Sequence, residues 1–405
     1  MNKKDAAVLA INGGKPVRDS YLNYGRQYID SNDIHAVTKV LQSDFLTCGP
    51  MIQKAEQKLC LITGAKYCTL VSSGTAALHV ACLAAGISSG DEVIVTPMTF
   101  AASANCVLYC GGTPVFADID NNTWNISPQA VEQKITSQTK AVIAVDYMGQ
   151  AVDLKPLSAL CKKYNLILIE DAAHSIGTRY EGKMVGSIAD ITTFSFHPVK
   201  TVTAGEGGAV ATNDPALDAK VRLFSKHGII RDKTKLENKD ETDCYYEQQA
   251  LGFNYRITDI QAALLCSQLD KLELFSKRRK ELTAFYNQEF SKTPEIILPK
   301  EIPQSDTTRH IYVIRLDTNR LTADRNTILR ALRAENIGAS IHYIPVYLMP
   351  YYQQMGFQKG LCPNAEKHYR ALLTLPLFYS MTDKDAADVV CAVNKVISFY
   401  RKSKS

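Results

Sequence analysis

The sequence predicts an α/β fold: a large unit built on a mostly parallel seven-stranded sheet, followed by a smaller C-terminal α+β unit. Three observations carry this. Seven strand-like segments fall between residues 67 and 212, most of them separated by helix-like segments of the kind that cross between parallel strands. The run Leu166 to Ile169 is apolar without interruption, as a strand covered on both faces must be. Acidic or glycine-containing turns follow at strand ends, Glu170-Asp171 after that run and Ser73-Gly74 after Tyr67 to Val71, where open α/β sheets hold their ligands.

The chain has 405 residues, enough for a division into 1–270 and 271–405. Hydrophobic residues make up 46% and charged residues 21%, a soluble globular composition. A net charge of +5 without a basic cluster interleaved with aromatics argues against a nucleic-acid partner. The eleven cysteines are an odd number with scattered spacings and no CxxC pair. Cys68, Cys82, Cys106, Cys161 and Cys391 lie in apolar patterns, so free thiols in a reducing cytoplasm are expected. The opening MNKKDAAVLAING is too short in apolar residues for a signal peptide, and no stretch approaches a membrane span. The expected setting is cytoplasmic, with no membrane partner.

In order, residues 1–30 read as a polar, Gly-rich arm. A helix is expected from Ser31 to Leu41, capped at Ser31 or Asn32, then a break at Leu46-Thr47-Cys48-Gly49-Pro50 and a helix from Gln53 to Thr63. The strand Tyr67 to Val71 runs into Ser72-Ser73-Gly74-Thr75, which opens an alanine-rich helix. Amides and hydroxyls at a helix start make a phosphate site, although Ser-Gly-Thr is also an ordinary cap. Glu92 to Thr96 is a strand, followed by Phe100 and a helix-like Ala101 to Leu108. Strands follow at Pro114 to Ala117 and Ala141 to Val145. Asp118 and Asp120 lack convergent partners and read as turn acids, so no metal is expected. Ile191 to Phe196 and Gly208 to Thr212 complete the sheet. Residues 231–250 are charged and without periodicity, which predicts an exposed, mobile loop. A helix capped near Thr258 or Asp259 extends as one long pattern from Ile260 to Phe290. Beyond it, a strand-like His310 to Leu316, a helix from Asp324 to Asn336, a strand-like Ile341 to Tyr347 and a closing helix from Asp383 to Tyr400 form the C-terminal layer. The basic tail from Arg401 to Ser405 reads as a frayed terminus.

Lys200 is the residue with chemical promise. It follows the strand that delivers Ser195 and precedes Gly205, Gly207 and Gly208, which let backbone approach a ligand. Most lysines are solvated surface groups. One held in a dry pocket loses proton affinity and becomes a nucleophile able to form Schiff bases. The carboxylate of Asp171, also at the end of a buried strand, favours the second reading.

Three linked motifs carry a resemblance: Glu170-Asp171-Ala172-Ala173-His174, then Ser195-Phe196-His197-Pro198-Val199-Lys200, then Gly205-Glu206-Gly207-Gly208-Ala209. In this order they are similar to the active-site segment of the DegT/DnrJ/EryC1/StrS sugar aminotransferases, and the likeness extends over roughly residues 22–400. The resemblance implies the fold type I architecture of transferases that use pyridoxal 5'-phosphate. It implies that Lys200 holds the cofactor through a Schiff base, that Asp171 faces the ring nitrogen, and that His174 orients Asp171. Ser73, Gly74, Thr75 and Ser195 then hold the phosphate, and Phe100 stacks on the ring. The resemblance further implies that Asn254 reaches the cofactor or substrate of a neighbouring subunit, so that the active sites of a homodimer are shared. By the same resemblance, Tyr24, the strip Leu46, Thr47, Cys48 and Gly49, and His342 with Tyr343 are expected to line the nucleotide-sugar pocket. Arg256 and Arg370 are both candidates for the carboxylate of the donor, L-glutamate. Family members that dehydrate sugars carry histidine in place of Lys200, so transamination is favoured, with the pseudaminic-acid branch resembled most. The arm Leu9 to Arg18 instead looks like that of perosamine-type or antibiotic-sugar relatives.

Overall fold

A computed structural model describes residues 8–238 and 242–403. Strands β1 (Tyr67–Val71), β2 (Glu92–Val95), β3 (Thr113–Phe116), β4 (Thr139–Val145), β5 (Ile167–Asp171), β6 (Ile191–Ser195) and β7 (Gly208–Thr212) form one sheet in the order β1-β7-β6-β5-β4-β2-β3. Only β7 runs against the others. Alternate residues therefore face opposite apolar layers. Leu168 joins Leu70, Val142 and Phe194 on one face, while Ile169 joins Val93, Ile143 and Val210 on the other. Helices α1 (Ser31–Leu41) and α2 (Pro50–Thr63) precede β1, and α3 (Gly74–Ala84) and α4 (Ala102–Tyr109) follow β1 and β2. From α2, Ala55 and Leu59 cover the first face, and Ala77, Val80, Ala104 and Val107 of α3 and α4 cover the second. Burying one Leu or Ile side chain is worth roughly 1.5–3 kcal/mol, so these layers dominate what holds the sheet.

β1 is an edge strand, and side chains cap its outer edge. Leu70 N donates to Glu56 (3.0 Å), Arg222 donates to the Cys68 carbonyl (3.1 Å), and Arg222 pairs with Glu56 at 3.1 Å. Capping an edge in this way blocks pairing with another chain. Downstream, strands Ile296–Ile297, Tyr312–Leu316 and Leu372–Leu375 form an antiparallel sheet. Its core draws on Leu282, Ile314, Leu332 and Leu373, together with Leu9 and Leu22 of the N-terminal arm. The arm is fixed further by Glu335, which accepts from Ala10 N and Val17 N at 2.9 Å each. Residues 1–7 of the arm lie outside the described residues.

Several local expectations are corrected. Asp30, not Ser31 or Asn32, caps α1 through a capping box with Asp33. Pro50 starts α2 at its first position instead of ending a loop, since its missing N–H is no loss there. The long pattern after Thr258 is two helices, Asp259–Leu269 and Leu272–Phe290, broken where Lys271 reaches Asp30 (2.9 Å) and Asp33 (2.6 Å). Residues 341–345 are not a strand; an irregular segment containing Pro345, which has no N–H to donate, leads into a short turn of helix at Val346–Leu348. The charged stretch after residue 230 is tied at its base by pairing of Ile229–Ile230 with Glu247–Gln248, and residues 239–241 lie outside the described residues. Arg401 is not frayed: it pairs with Glu295 at 2.8 Å, and Lys402 N donates to Arg320 O; Lys404 and Ser405 fall outside the described residues. Cys391 is exposed on the closing helix, unlike the buried Cys68, Cys82, Cys106 and Cys161. Among the described residues, no helix is long and apolar enough to cross a membrane.

Candidate active site

The six strands that share a direction deliver their carboxyl ends to one cleft. Asp171, the last residue of β5, is buried. Its carboxylate accepts from Ser103 Oγ (2.7 Å) and from Ala173 N (3.1 Å). Burial raises its pKa, opposed by those two hydrogen bonds and by the charge of Lys200. Lys200 sits in the turn after β6, where its N–H donates to His197 O (2.9 Å) and Ala204 N closes the loop on Phe196 O (2.9 Å). Burial lowers the amine to about 8, with Asp171 acting in the opposite sense. About a tenth of the amine is then neutral at pH 7, against well under a thousandth for an ordinary lysine.

The start of α3 lies beside Ser195. Ser73 Oγ caps the helix by accepting from Ala76 N (3.1 Å), and the amides that follow are open, as at any helix start. Gly74 is there because nothing larger fits: a Cβ would lie 2.8 Å from Ser195 Cβ and 3.0 Å from its hydroxyl oxygen. Gly208 is needed for the same reason, since its Cβ would lie 2.3 Å from Ser73 O. Amides, the positive end of a helix and the Ser195 hydroxyl thus converge with room for an anion.

Aromatic and imidazole groups close the cleft. Phe100 is 63% exposed, leaving its ring available to a flat ligand, and its centroid lies 6.5 Å from that of Tyr343. Tyr343 OH lies 3.1 Å from His174 Nε2. The expected contact between His174 and Asp171 is therefore corrected: Ser103 and Ala173 serve Asp171, and His174 pairs with Tyr343. Burial holds the His174 pKa well below the usual value, with Lys200 adding to the effect, so the ring is neutral. His342 bonds Thr374 Oγ1 (3.1 Å), its ring lies 5.0 Å from Tyr24, and burial lowers it to about 4. Ser103, Tyr147, which donates to the His342 carbonyl, and His310, whose ring is 4.5 Å from His174, belong to the same cluster. None of the three was placed at the site from sequence. No local signal singled them out: Ser103 shares its helix with another polar residue, Asn105.

Other candidates lie elsewhere on this chain. The exposed strip Leu46 to Cys48, with Gly49, packs on the start of helix Asp259–Leu269 instead of on His342: Thr47 pairs with Thr258, and Gly49 N donates to Asp259 (2.7 Å). Asn254 is exposed nearby, and Arg256 lines a cleft of about 810 Å³ with Cys48 and Gly49. Arg370 pairs with Glu366 (3.3 Å) on helix Pro363–Ala371. Asp118 accepts from Asn364 N and Ala365 N, and Asp120 from Asn122 N and Thr123 N, so both acids serve as turn and helix caps.

A family model for the DegT/DnrJ/EryC1/StrS aminotransferases matches residues 27–394. The chain belongs to this family. Spore coat polysaccharide biosynthesis protein SpsC of Bacillus subtilis is 40% identical over 94% of this chain and 98% of its own length. UDP-4-amino-4,6-dideoxy-N-acetyl-beta-L-altrosamine transaminase of Campylobacter jejuni is 36% identical over 94% and 99%. The solved structure of Helicobacter pylori PseC, an aminotransferase involved in the biosynthesis of pseudoaminic acid, superposes with a TM-score of 0.86 at 32% identity, covering 94% of this chain and 100% of that one. The fold is accordingly fold type I, the cofactor of the family is pyridoxal 5'-phosphate, and the chain is a sugar aminotransferase. Its residues fit that cofactor, with an anion cradle at Gly74 and Ser195, a depressed amine at Lys200, a buried carboxylate at Asp171 and an open ring at Phe100.

Proposed function

We propose that the enzyme transfers the amino group of L-glutamate to the C4 keto carbon of a nucleotide-linked 4-keto-6-deoxy sugar. The proposed sugar is UDP-2-acetamido-2,6-dideoxy-beta-L-arabino-hex-4-ulose, on the route to pseudaminic acid. The observation that carries the transaminase chemistry is the depressed Lys200 amine beside buried Asp171. The sugar assignment leans on the Campylobacter relative and on PseC. Bound pyridoxal phosphate supplies a ring that takes up the electron pair released at the donor carbon. Lys200 holds the cofactor and, once displaced, accepts and returns the proton at its Nζ. Asp171 keeps the ring nitrogen protonated, because a neighbouring carboxylate favours the charged form. Neutral His174 holds Tyr343 in place along one wall. Ser73, Gly74, Thr75 and Ser195 anchor the phosphate, and Phe100 excludes water from one ring face.

The working unit in this reading is a cytoplasmic homodimer, with residues 1–270 as the cofactor-binding unit and 271–405 as the smaller unit. Asn254 is exposed, as are Leu46, Thr47 and Cys48, and Thr47 pairs with Thr258 four positions from Asn254, which suits groups that complete the neighbouring subunit's site. Arg256 in that cleft is favoured over Arg370 for an anionic group, since Arg370 already has Glu366. A second reading, another nucleotide sugar of the bacillosamine, perosamine or dTDP type, is kept by the 40% identity to SpsC. Glutamate with a panel of UDP-, GDP- and dTDP-linked 4-keto sugars tests both. Amination of the UDP-linked L-arabino sugar alone is expected. Turnover confined to a GDP- or dTDP-linked sugar would remove the assignment, and failure of glutamate to convert the cofactor to its amine form would remove transamination itself.

A further inference from the structure

We propose that Thr99 is a positioning residue for the transamination chemistry: its hydroxyl donates to Ser103 Oγ and so directs the Ser103 proton onto the carboxylate of Asp171. Thr99 lies between β2 and α4, directly before Phe100. It is buried, as are Ser103 and Asp171. The two hydroxyl oxygens are 2.7 Å apart, and Ser103 Oγ is in turn 2.7 Å from Asp171 Oδ2. A hydroxyl has one proton to give, and an ionised carboxylate can only accept. The Ser103 proton is therefore committed to Asp171, and the contact between the hydroxyls is closed by the proton of Thr99. The chain of donation runs from Thr99 to Ser103 to the last residue of β5.

A threonine just ahead of a helix ordinarily caps it. Here α4 has no side-chain cap, so the Thr99 hydroxyl is not spent on a backbone amide of that helix start. It acts on a rotor instead. A helical serine can turn its proton back onto a carbonyl of the preceding turn. A hydroxyl that accepts one hydrogen bond donates the next more strongly, so Thr99 favours the orientation that serves Asp171. The Ser103 hydrogen bond leads the influences that oppose the effect of burial on Asp171. On the reading that Asp171 serves the ring nitrogen of the cofactor, Thr99 acts on that nitrogen at two removes, through Ser103 and then Asp171. One turn of chain thus presents Phe100 to the cleft and buries the hydroxyl that steadies the carboxylate.

The test follows the absorbance of the bound cofactor in the loaded enzyme as pH is lowered, and reads the midpoint at which Asp171 takes up a proton. T99V should raise that midpoint by about half a pH unit, a change of about threefold in proton affinity, as expected when one link of a hydrogen-bond chain stops polarising the next. T99S keeps the hydroxyl and should restore the wild-type midpoint. In the S103A background T99V should add no further shift, because its route to Asp171 is gone. If T99V fails to fold, T99A enters the same comparisons. D171N, loaded with excess cofactor, should lose the transition. A transition that persists in D171N removes the role given to Asp171, and that of Thr99 with it. A transition lost in D171N but unmoved in T99V overturns the role of Thr99 alone. So does an equal shift in T99V and T99S, or a T99V shift undiminished in S103A.

Discussion

Ser103 Oγ donates to Asp171 Oδ2 at 2.7 Å, joining two residues 68 positions apart at the floor of the cleft. This hydrogen bond stabilises the ionised carboxylate and so opposes the rise that burial imposes. In S103A the Asp171 pKa should rise, so the acid limb of the pH–activity profile should move to higher pH. Activity at neutral pH should fall roughly tenfold, the usual cost of losing a hydrogen bond to a charged group. An acid limb that stays in place would show that Ser103 only packs.

G74A should fill the space between the start of α3 and Ser195, where the new Cβ would meet Ser195 at 2.8 Å. The expected result is a folded protein whose affinity for pyridoxal phosphate drops by roughly tenfold or more, equivalent to at least about 1.4 kcal/mol. Absorbance titration of the cofactor-free variant measures it. Unchanged affinity would separate Gly74 from the phosphate.

Y343F removes the hydroxyl that His174 Nε2 meets at 3.1 Å. A buried imidazole left without its partner costs roughly 1–3 kcal/mol. Single-turnover measurements should show the sugar half-reaction slowed about tenfold or more on that basis. The glutamate half-reaction should change less, because Tyr343 borders His342 and Tyr24 on the proposed sugar side.

Glu170 points away from the cleft into the sheet, where burial raises its pKa to about 7. Its folded-state pKa thus exceeds the unfolded value of about 4.3. The stability it contributes is fully present below the unfolded value and lost as pH rises toward 7. E170Q should flatten the fall in unfolding free energy between pH 5 and pH 8 by on the order of 1–3 kcal/mol, measured by urea titration. Parallel slopes for the two proteins would contradict this account. The Gln side chain can still accept from Thr192 Oγ1, which bonds Glu170 at 3.0 Å in the parent.

What was legible in the sequence is what local pattern encodes. Short strand-like runs separated by helix-like segments and turn signals located all seven strands of the main sheet, and the residues at or just beyond strand ends located Asp171, Ser195 and Lys200. Ser73 and Gly74 were legible because a helix start has its own chemistry. Ser103, Tyr147 and His310 were not, since each enters the cluster through strand order and long connections that leave no local signature. The break at Lys271 was also hidden: periodicity runs through it, and its ion pairs with Asp30 and Asp33 bridge some 240 positions. The strip Leu46 to Gly49 was visible as a strip, but its seat on Asp259 depends on a contact across 210 positions.

Borohydride reduction of the cofactor-loaded enzyme, followed by tryptic mass mapping, tests the central claim most directly. Reduction should fix the cofactor on Lys200 and block cleavage there, giving one labelled peptide from Met184 to Lys220. The yield of trapping during reconstitution should climb with pH through about 8, as the amine loses its proton. A label on any other lysine, or none at all, would contradict the assignment of Lys200.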